Sequence, residues 1–217
     1  MTTENLSAAV IAAYQAMSLW ELAAVVLALA YLLLAMKEHI SCWYAAFIST
    51  LIYIFLFWDV NLLMESALQI YYLAMAVYGW WQWRHHQSGE KDLAVHRWSL
   101  QTHGIVLVGL CGLTLVSGYW LQQSTQAALP YLDSFTTWGA VITTYMVARK
   151  VLENWLYWII IDGASVYLYI DRGLYLTAIL FVLYVVLVVF GFFQWRAIYK
   201  QQITSKQILN KQSATVR

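Results

Sequence analysis

A single carboxylate stands in the middle of an apolar, aromatic stretch, ENWLYWIIIDGASVYLY, which runs from Glu153 to Tyr169. Asp162 is nine residues beyond Glu153, and at 1.5 Å per residue it is about 14 Å further along a helix. Since the hydrocarbon core of a bilayer is about 30 Å thick, this depth is close to the midplane. An aspartate there costs at least about 2.5 kcal/mol, so we expect Asp162 to face the interior of a helix bundle and to have a partner.

The residues spaced three and four apart around Asp162 share its helical face; they are Trp155, Trp158, Ser165 and Tyr169. On this face an anion lies between aromatic rings. The arrangement is typical of a binding site for a flat, positively charged solute that makes cation–π contacts. The alternative is a protonated Asp162 that hydrogen-bonds to a neighbouring helix, with the tryptophans as packing.

A second polar stripe occurs upstream, where Glu65, Gln69 and Tyr72 occupy one helical face. Gln69 has a depth similar to that of Asp162, so we expect both stripes to contribute to one substrate site. Glu65 is nearer the outer surface, and its alternative role is that of a solvated group at the mouth. Asn154 begins the helix of Asp162 and is either a substrate ligand or a helix cap.

The composition indicates an all-α integral membrane protein. Of the 217 residues, 62% are hydrophobic, 17% aromatic and 11% charged, whereas about 25% are charged in a typical soluble domain. One proline and ten glycines leave little material for long loops. We predict seven transmembrane helices, at about 19–36, 40–58, 61–83, 103–121, 134–149, 154–170 and 173–195.

The basic residues test this count and orient the chain. With seven spans, eleven of the twelve lysines and arginines fall on one side of the membrane, and only Arg172 falls on the other. The positive-inside rule then places the N-terminus outside and the C-terminus inside, on the cytoplasmic side of the membrane. The basic tail 197–217 is expected to lie against anionic lipid headgroups. Four tryptophans at span ends, Trp80, Trp81, Trp83 and Trp195, are expected to be interfacial anchors.

An internal repeat is found when the chain is shifted by 112 residues. YGWWQWR, from Tyr78, then aligns with FGFFQWR, from Phe190, and Trp43 aligns with Trp155 without a gap. We therefore predict two parallel three-helix repeats, at about 19–84 and 134–196, joined by a connector helix at about 103–121. A pseudo-two-fold axis along the membrane normal relates parallel repeats, and substrate sites in such folds lie near the midplane between them.

Two stretches resemble the bacterial Pnu-type vitamin transporters: ARKVLENWLYW, from Ala148, and ESALQIYYLAMAVYGWWQW, from Glu65. The resemblance covers about residues 19–196. It implies a fold similar to that of the sugar-exporting SWEET proteins and facilitated diffusion of an unphosphorylated vitamin, which a cytoplasmic kinase then traps. It also implies a homotrimer. We predict no cofactor, no metal site and no nucleic-acid partner; the partners are the small-molecule vitamin and the lipid bilayer.

Branches of this family carry nicotinamide riboside, thiamine, riboflavin or deoxynucleosides. Thiamine and nicotinamide riboside both have a cationic aromatic ring, and Asp162 suits either. The pattern K-E-x-x-x-C-W, from Lys37 to Trp43, resembles the thiamine branch. Trp138 and Thr143 stand where nicotinamide riboside members commonly have small or amide residues. We therefore expect thiamine, with nicotinamide riboside as the alternative.

The alternative from another class is a membrane-embedded enzyme that uses Asp162 as an acid or base. The sequence has no H-E-x-x-H and no G-x-S-x-G motif to support one, and we predict that the protein is not an enzyme. The ATP-binding motif G-x-x-x-x-G-K-[ST] is absent as well.

Overall fold

The computed structural model describes residue 11 and residues 17–59, 63–85, 93–124 and 129–215. In these ranges the chain forms seven long α-helices, one for each predicted span. We label them α1 (Leu19–Met36), α2 (Cys42–Asp59), α3 (Leu63–His85), α4 (Leu100–Ser124), α5 (Pro130–Ala148), α6 (Asn154–Asp171) and α7 (Tyr175–Thr215). The all-α fold class is confirmed.

Four of the described helices are long and apolar enough to cross a membrane by length and composition, namely Leu19–Met36, Cys42–Asp59, Leu100–Ser124 and the Tyr175–Ile208 part of α7. The helices α3, α5 and α6 are less apolar. The lower hydropathy of α5 and α6 comes from polar side chains that face the interior of the bundle. The helix α5 buries four serine and threonine residues, and α6 buries Asn154, Asp162 and Ser165. Polar groups inside a membrane bundle are placed in this way, away from lipid.

Helix packing follows the repeat. Within each half the helices pack in chain order, and the halves meet where α3 contacts α5 and where α1 contacts α7. A shift of 112 residues converts α1 into α5 and α3 into α7, so these two contacts between the halves are equivalent. A pseudo-two-fold axis between parallel halves requires such a pair. The connector α4 packs on α5.

The tryptophans reproduce the repeat in detail. Trp43 and Trp83 meet edge to face, with ring centroids 5.3 Å apart and planes at 87°. Their counterparts Trp155 and Trp195 also meet at 5.3 Å, with planes at 85°. The two halves therefore have the same internal packing as well as the same helix order.

The expectation that Trp83 and Trp195 are interfacial anchors is wrong. Their exposed fractions are 2% and 0%, and their indole N–H groups donate to the carbonyls of Ala148 and Ala35, each at 3.1 Å. Both hydrogen bonds join one half of the bundle to the other. Position at the end of a span does not tell which way a ring points. Of the four tryptophans, Trp81 is the most exposed, at 47%, and has the surface position that an anchor needs.

The last helix extends beyond the predicted transmembrane span at about 173–195. The helix α7 does not stop near residue 195 but continues through most of the basic tail to Thr215. No proline or glycine follows Gly191, so the backbone meets nothing that breaks a helix. At 1.5 Å per residue, its 41 residues make a helix about 60 Å long, twice the thickness of the hydrocarbon core.

Gly191→Ala is expected to destabilise the bundle, because a Cβ at this position would lie 2.5 Å from the Trp155 ring. Overpacking of this kind costs about 1–3 kcal/mol, and it should lower the melting temperature of the protein purified in detergent. Gly112→Ala is the matched control, since a Cβ there meets no atom within 4 Å. Equal melting temperatures for the two variants would contradict the close packing of Trp155.

Candidate functional site

Asp162 lies inside the bundle with only 4% of its surface exposed. In the described part of the chain its carboxylate forms no hydrogen bond and no ion pair. The sequence predicted burial and a partner; the burial is present, and no described protein group is the partner. A buried carboxylate without hydrogen bonds is energetically unfavourable, so this position is suited to a ligand that supplies the missing positive charge.

Two tyrosines lie near this carboxylate. Tyr72 of α3 and Tyr184 of α7 each lie within electrostatic range of Asp162, and Tyr169 lies within range of both. Tyr72 and Tyr184 are counterparts in the repeat, so a group close to both is close to the pseudo-two-fold axis. The carboxylate therefore lies between the two halves, where the repeat predicts a substrate site.

Tyr184 is absent from the predicted site residues, although the 112-residue shift aligns it with Tyr72. That alignment is the signal by which the sequence could have found it. Tyr31 and Tyr53 extend the same group, since Tyr31 interacts electrostatically with Tyr72, and Tyr53 with Tyr184. These tyrosines occur in strongly apolar stretches of the sequence. In such a stretch, the sequence does not distinguish a tyrosine of a binding site from a tyrosine of the hydrophobic core.

The predicted face of α6 is directed inward. Ser165 is buried, and its hydroxyl donates to the carbonyl of Ile161 at 2.9 Å. Tyr169 is half-buried and packs on Phe181, with ring centroids 4.9 Å apart. Trp158 is half-buried against the hydrophobic core. The inward face thus carries a carboxylate between aromatic rings, as the spacing predicted.

The second stripe is described in part. Gln69 is half-buried on α3, almost one helical turn before Tyr72. Glu65 belongs to α3 as well, but its side chain lies outside the described residues. Of this stripe, Tyr72 is the member that the structure brings into range of Asp162.

Asn154 and Trp155 lie at the other end of α6. The Asn154 side chain is fully buried, and its amide donates to the carbonyl of Val151 at 2.6 Å. Trp155 is 1% exposed, enclosed by Trp195 and Gly191. Asn154 is about 12 Å from Asp162 along the helix axis. In this conformation the two residues shape the turn and the packing that place α6.

Glu153 links this end of α6 by hydrogen bonds to the segment that precedes α4. Its carboxylate accepts hydrogen bonds from the Arg97 side chain at 2.6 Å and from the Trp98 backbone N–H at 3.3 Å. The hydrogen bond and the negative charge of Glu153 raise the pKa of Arg97, which therefore stays charged at physiological pH. In addition, the His96 backbone donates to the carbonyl of Lys150 and accepts from the N–H of Leu152.

A polar and aromatic site enclosed between two parallel halves of a membrane bundle is typical of transport proteins. Comparison with known families agrees: residues 18–197 match the model of the nicotinamide mononucleotide transporter family. The match covers most of the chain, and the protein belongs to this family. It is a membrane transporter and not an enzyme, so the alternative in which Asp162 is a catalytic acid or base is set aside.

Individual relatives differ in what they carry. The chain is 26% identical over 188 residues to the nicotinamide riboside transporter PnuC of Escherichia coli, covering 75% of this chain and 78% of the relative. It is 24% identical over 174 residues to the riboflavin/roseoflavin transporter RibM of Streptomyces davaonensis, covering 78% and 81%.

Among solved structures, the fold matches the crystal structure of the vitamin B3 transporter PnuC with a TM-score of 0.69. The match covers 90% of this chain and 88% of the solved chain, at 21% identity. This likeness confirms the predicted fold.

Glu153→Ala is expected to lower the melting temperature more than Arg97→Ala. The first change removes the carboxylate that accepts the hydrogen bond of the Trp98 backbone N–H. A buried polar group left without a partner costs about 1–3 kcal/mol. The second removes a side chain that is 62% exposed, and it leaves the carboxylate of Glu153 with the hydrogen bond from the Trp98 backbone N–H. Thermal unfolding in detergent measures both, and a larger loss for Arg97→Ala would contradict this ranking.

Proposed function

We propose that the protein takes up an unphosphorylated vitamin whose aromatic ring is positively charged. The observation that supports this proposal is the buried carboxylate of Asp162, which lies among tyrosines and has no partner in the described part of the bundle. A cationic ring supplies the missing charge, and its faces stack on the phenol rings. The aromatic residues that we propose for this stacking are Tyr72, Tyr169 and Tyr184.

The same carboxylate disfavours two other substrate types. A neutral flavin, such as the riboflavin carried by RibM, would bury Asp162 without neutralising it. A phosphorylated vitamin would bring a negative charge towards Asp162, which forms no ion pair with a described basic residue. The site therefore suits the free vitamin better than its phosphate.

Among cationic vitamins we propose thiamine first, because the K-E-x-x-x-C-W pattern resembles the thiamine branch of the family. In the structure this pattern lies at one end of the bundle, where Glu38 pairs with Lys150 and Trp43 packs on Trp83. Its residues therefore act on the fold, and they do not contact Asp162. Nicotinamide riboside is the second choice, and the name of the Escherichia coli relative supports it.

We also propose that transport is facilitated diffusion followed by trapping. A cytoplasmic kinase that phosphorylates the vitamin would give it the negative charge that Asp162 repels, so the product would not return. The distribution of basic residues supports insertion in the bacterial inner membrane with the N-terminus outside. The resemblance to Pnu-type transporters supports a homotrimer.

Asp162→Asn is expected to weaken binding of the cationic vitamin about 10- to 100-fold, because a charge-assisted contact is worth about 1.5–3 kcal/mol. Titration calorimetry with thiamine, nicotinamide riboside and riboflavin measures it. Thr144→Ala is the matched control: Thr144 is buried on α5, and its hydroxyl is already bonded within the helix to the carbonyl of Ala140. Unchanged affinity in the Asp162→Asn variant, or tight riboflavin binding by the parent protein, would refute the proposed role.

Purified protein in liposomes is expected to equilibrate labelled vitamin across the membrane without accumulating it. If transport is facilitated diffusion, no energy source acts on the bundle, and a proton gradient does not change the final ratio of inside to outside concentration. Enclosing a vitamin kinase with ATP should produce accumulation as the phosphate. Accumulation driven by a proton gradient in liposomes without kinase would overturn facilitated diffusion and leave the binding proposal intact.

A further inference from the structure

Two pairs of residues that the repeat relates to each other are in direct contact. Glu38 and Lys150 form an ion pair with an Oε1–Nζ distance of 2.8 Å. The rings of Trp83 and Trp195 have centroids 6.3 Å apart. A residue that contacts its own counterpart must lie beside the axis that relates the two halves. Both pairs lie at the end of the bundle where α1 ends and α6 begins, so the axis is blocked at that end.

The ion pair is mostly shielded from solvent. The side chains of Lys150 and Glu38 are 14% and 17% exposed, and the Lys150 ammonium lies 4.7 Å from the centroid of the Trp83 ring. Trp83 itself is 2% exposed. Opposite charges attract more strongly in such a partly buried setting than at a surface, because less water screens them. The contact is therefore suited to hold the two halves together.

The two turns that carry this ion pair differ in their backbone hydrogen bonds to other segments. Glu38 and Lys150 both have left-handed backbone conformations, with φ of 52° and 54°. The turn of Lys150 is tied to the segment before α4 by backbone hydrogen bonds through His96, at 3.1 and 2.8 Å, and by Glu153. The backbone N–H groups of residues 38–41 bond only to groups of residues 34–39 within the described chain.

We propose that the Glu38–Lys150 ion pair is the latch that closes this end of the transport path. The path opens when the Glu38 turn moves away from the Lys150 turn, which is held in place by the segment before α4. This inference rests on the protein being a transporter and not on which vitamin it carries. Its failure would therefore leave the substrate proposal untouched.

Cys42 is a native reporter for this opening. It lies at the start of α2, four residues from Glu38, and is fully buried. The other cysteine, Cys111, is exposed and is removed by Cys111→Ala. Labelling of Cys42 by N-ethylmaleimide in purified protein, followed by mass spectrometry, then measures how often this end opens.

Glu38→Gln is expected to raise the labelling rate of Cys42 at least tenfold. It is the primary variant because it leaves Lys150 in place, and Lys150 is close enough to Cys42 to act on its thiol. The double variant Glu38→Lys/Lys150→Glu restores an opposite-charge pair across the axis. We expect it to return the rate towards that of the parent and below the rate of Lys150→Glu alone, which places the same charge near Cys42 without a partner. An unchanged rate in Glu38→Gln would overturn the proposal, and so would a raised rate that the exchange of charges does not reverse.

Asp133→Asn is the matched control. It removes the carboxylate of an ion pair of the same length, 2.8 Å to Arg172, at the opposite end of the bundle. We expect no change in Cys42 labelling, and a tenfold rise would show that any lost ion pair loosens the bundle. If Glu38→Gln does not fold, Glu38→Asp keeps the charge and shortens its reach: an intermediate labelling rate supports the latch, and the parental rate contradicts it.

Discussion

The cost of an unpaired charge inside a bilayer governs this architecture. A carboxylate near the midplane is tolerated only where protein encloses it, since lipid offers it neither hydrogen bonds nor water. The helix α6 must therefore have neighbours on the side of Asp162. The packing of α5 and α7 on α6, together with the contacts of α3 with α5 and of α1 with α7, provides that enclosure.

The two halves share a scaffold and differ where function is expected. Tryptophan pairs, left-handed turns and interhelical contacts recur after 112 residues. Two charged positions do not recur: Asp162 corresponds to Thr50, and Lys150 corresponds to Glu38. Repetition thus maintains the helix packing, while these differences place one anion in the centre and one ion pair on the axis. A strictly symmetric bundle would have neither feature.

The sequence predicts the seven helices, the repeat and the inward face of Asp162 because these depend on hydropathy, charge and helical period, which are local quantities. It does not predict that Trp83 and Trp195 face each other, since the same position at a span end also suits a headgroup anchor. It does not locate the end of α7, where polarity increases without a helix breaker. For Tyr184 the sequence offers the alignment with Tyr72, whereas the position of this residue near Asp162 depends on the tertiary fold.

The contact between Glu38 and Lys150 also bears on how the two halves are connected. In an assembly of two identical three-helix chains, the residue beside the axis would meet a copy of itself, because such an interface is self-complementary. Two glutamates or two lysines would then repel each other in a mostly buried position. Joining the halves in one polypeptide frees the two positions to diverge. The connector α4 thus makes possible an ion pair between two counterpart positions, which a homodimer of either half cannot have.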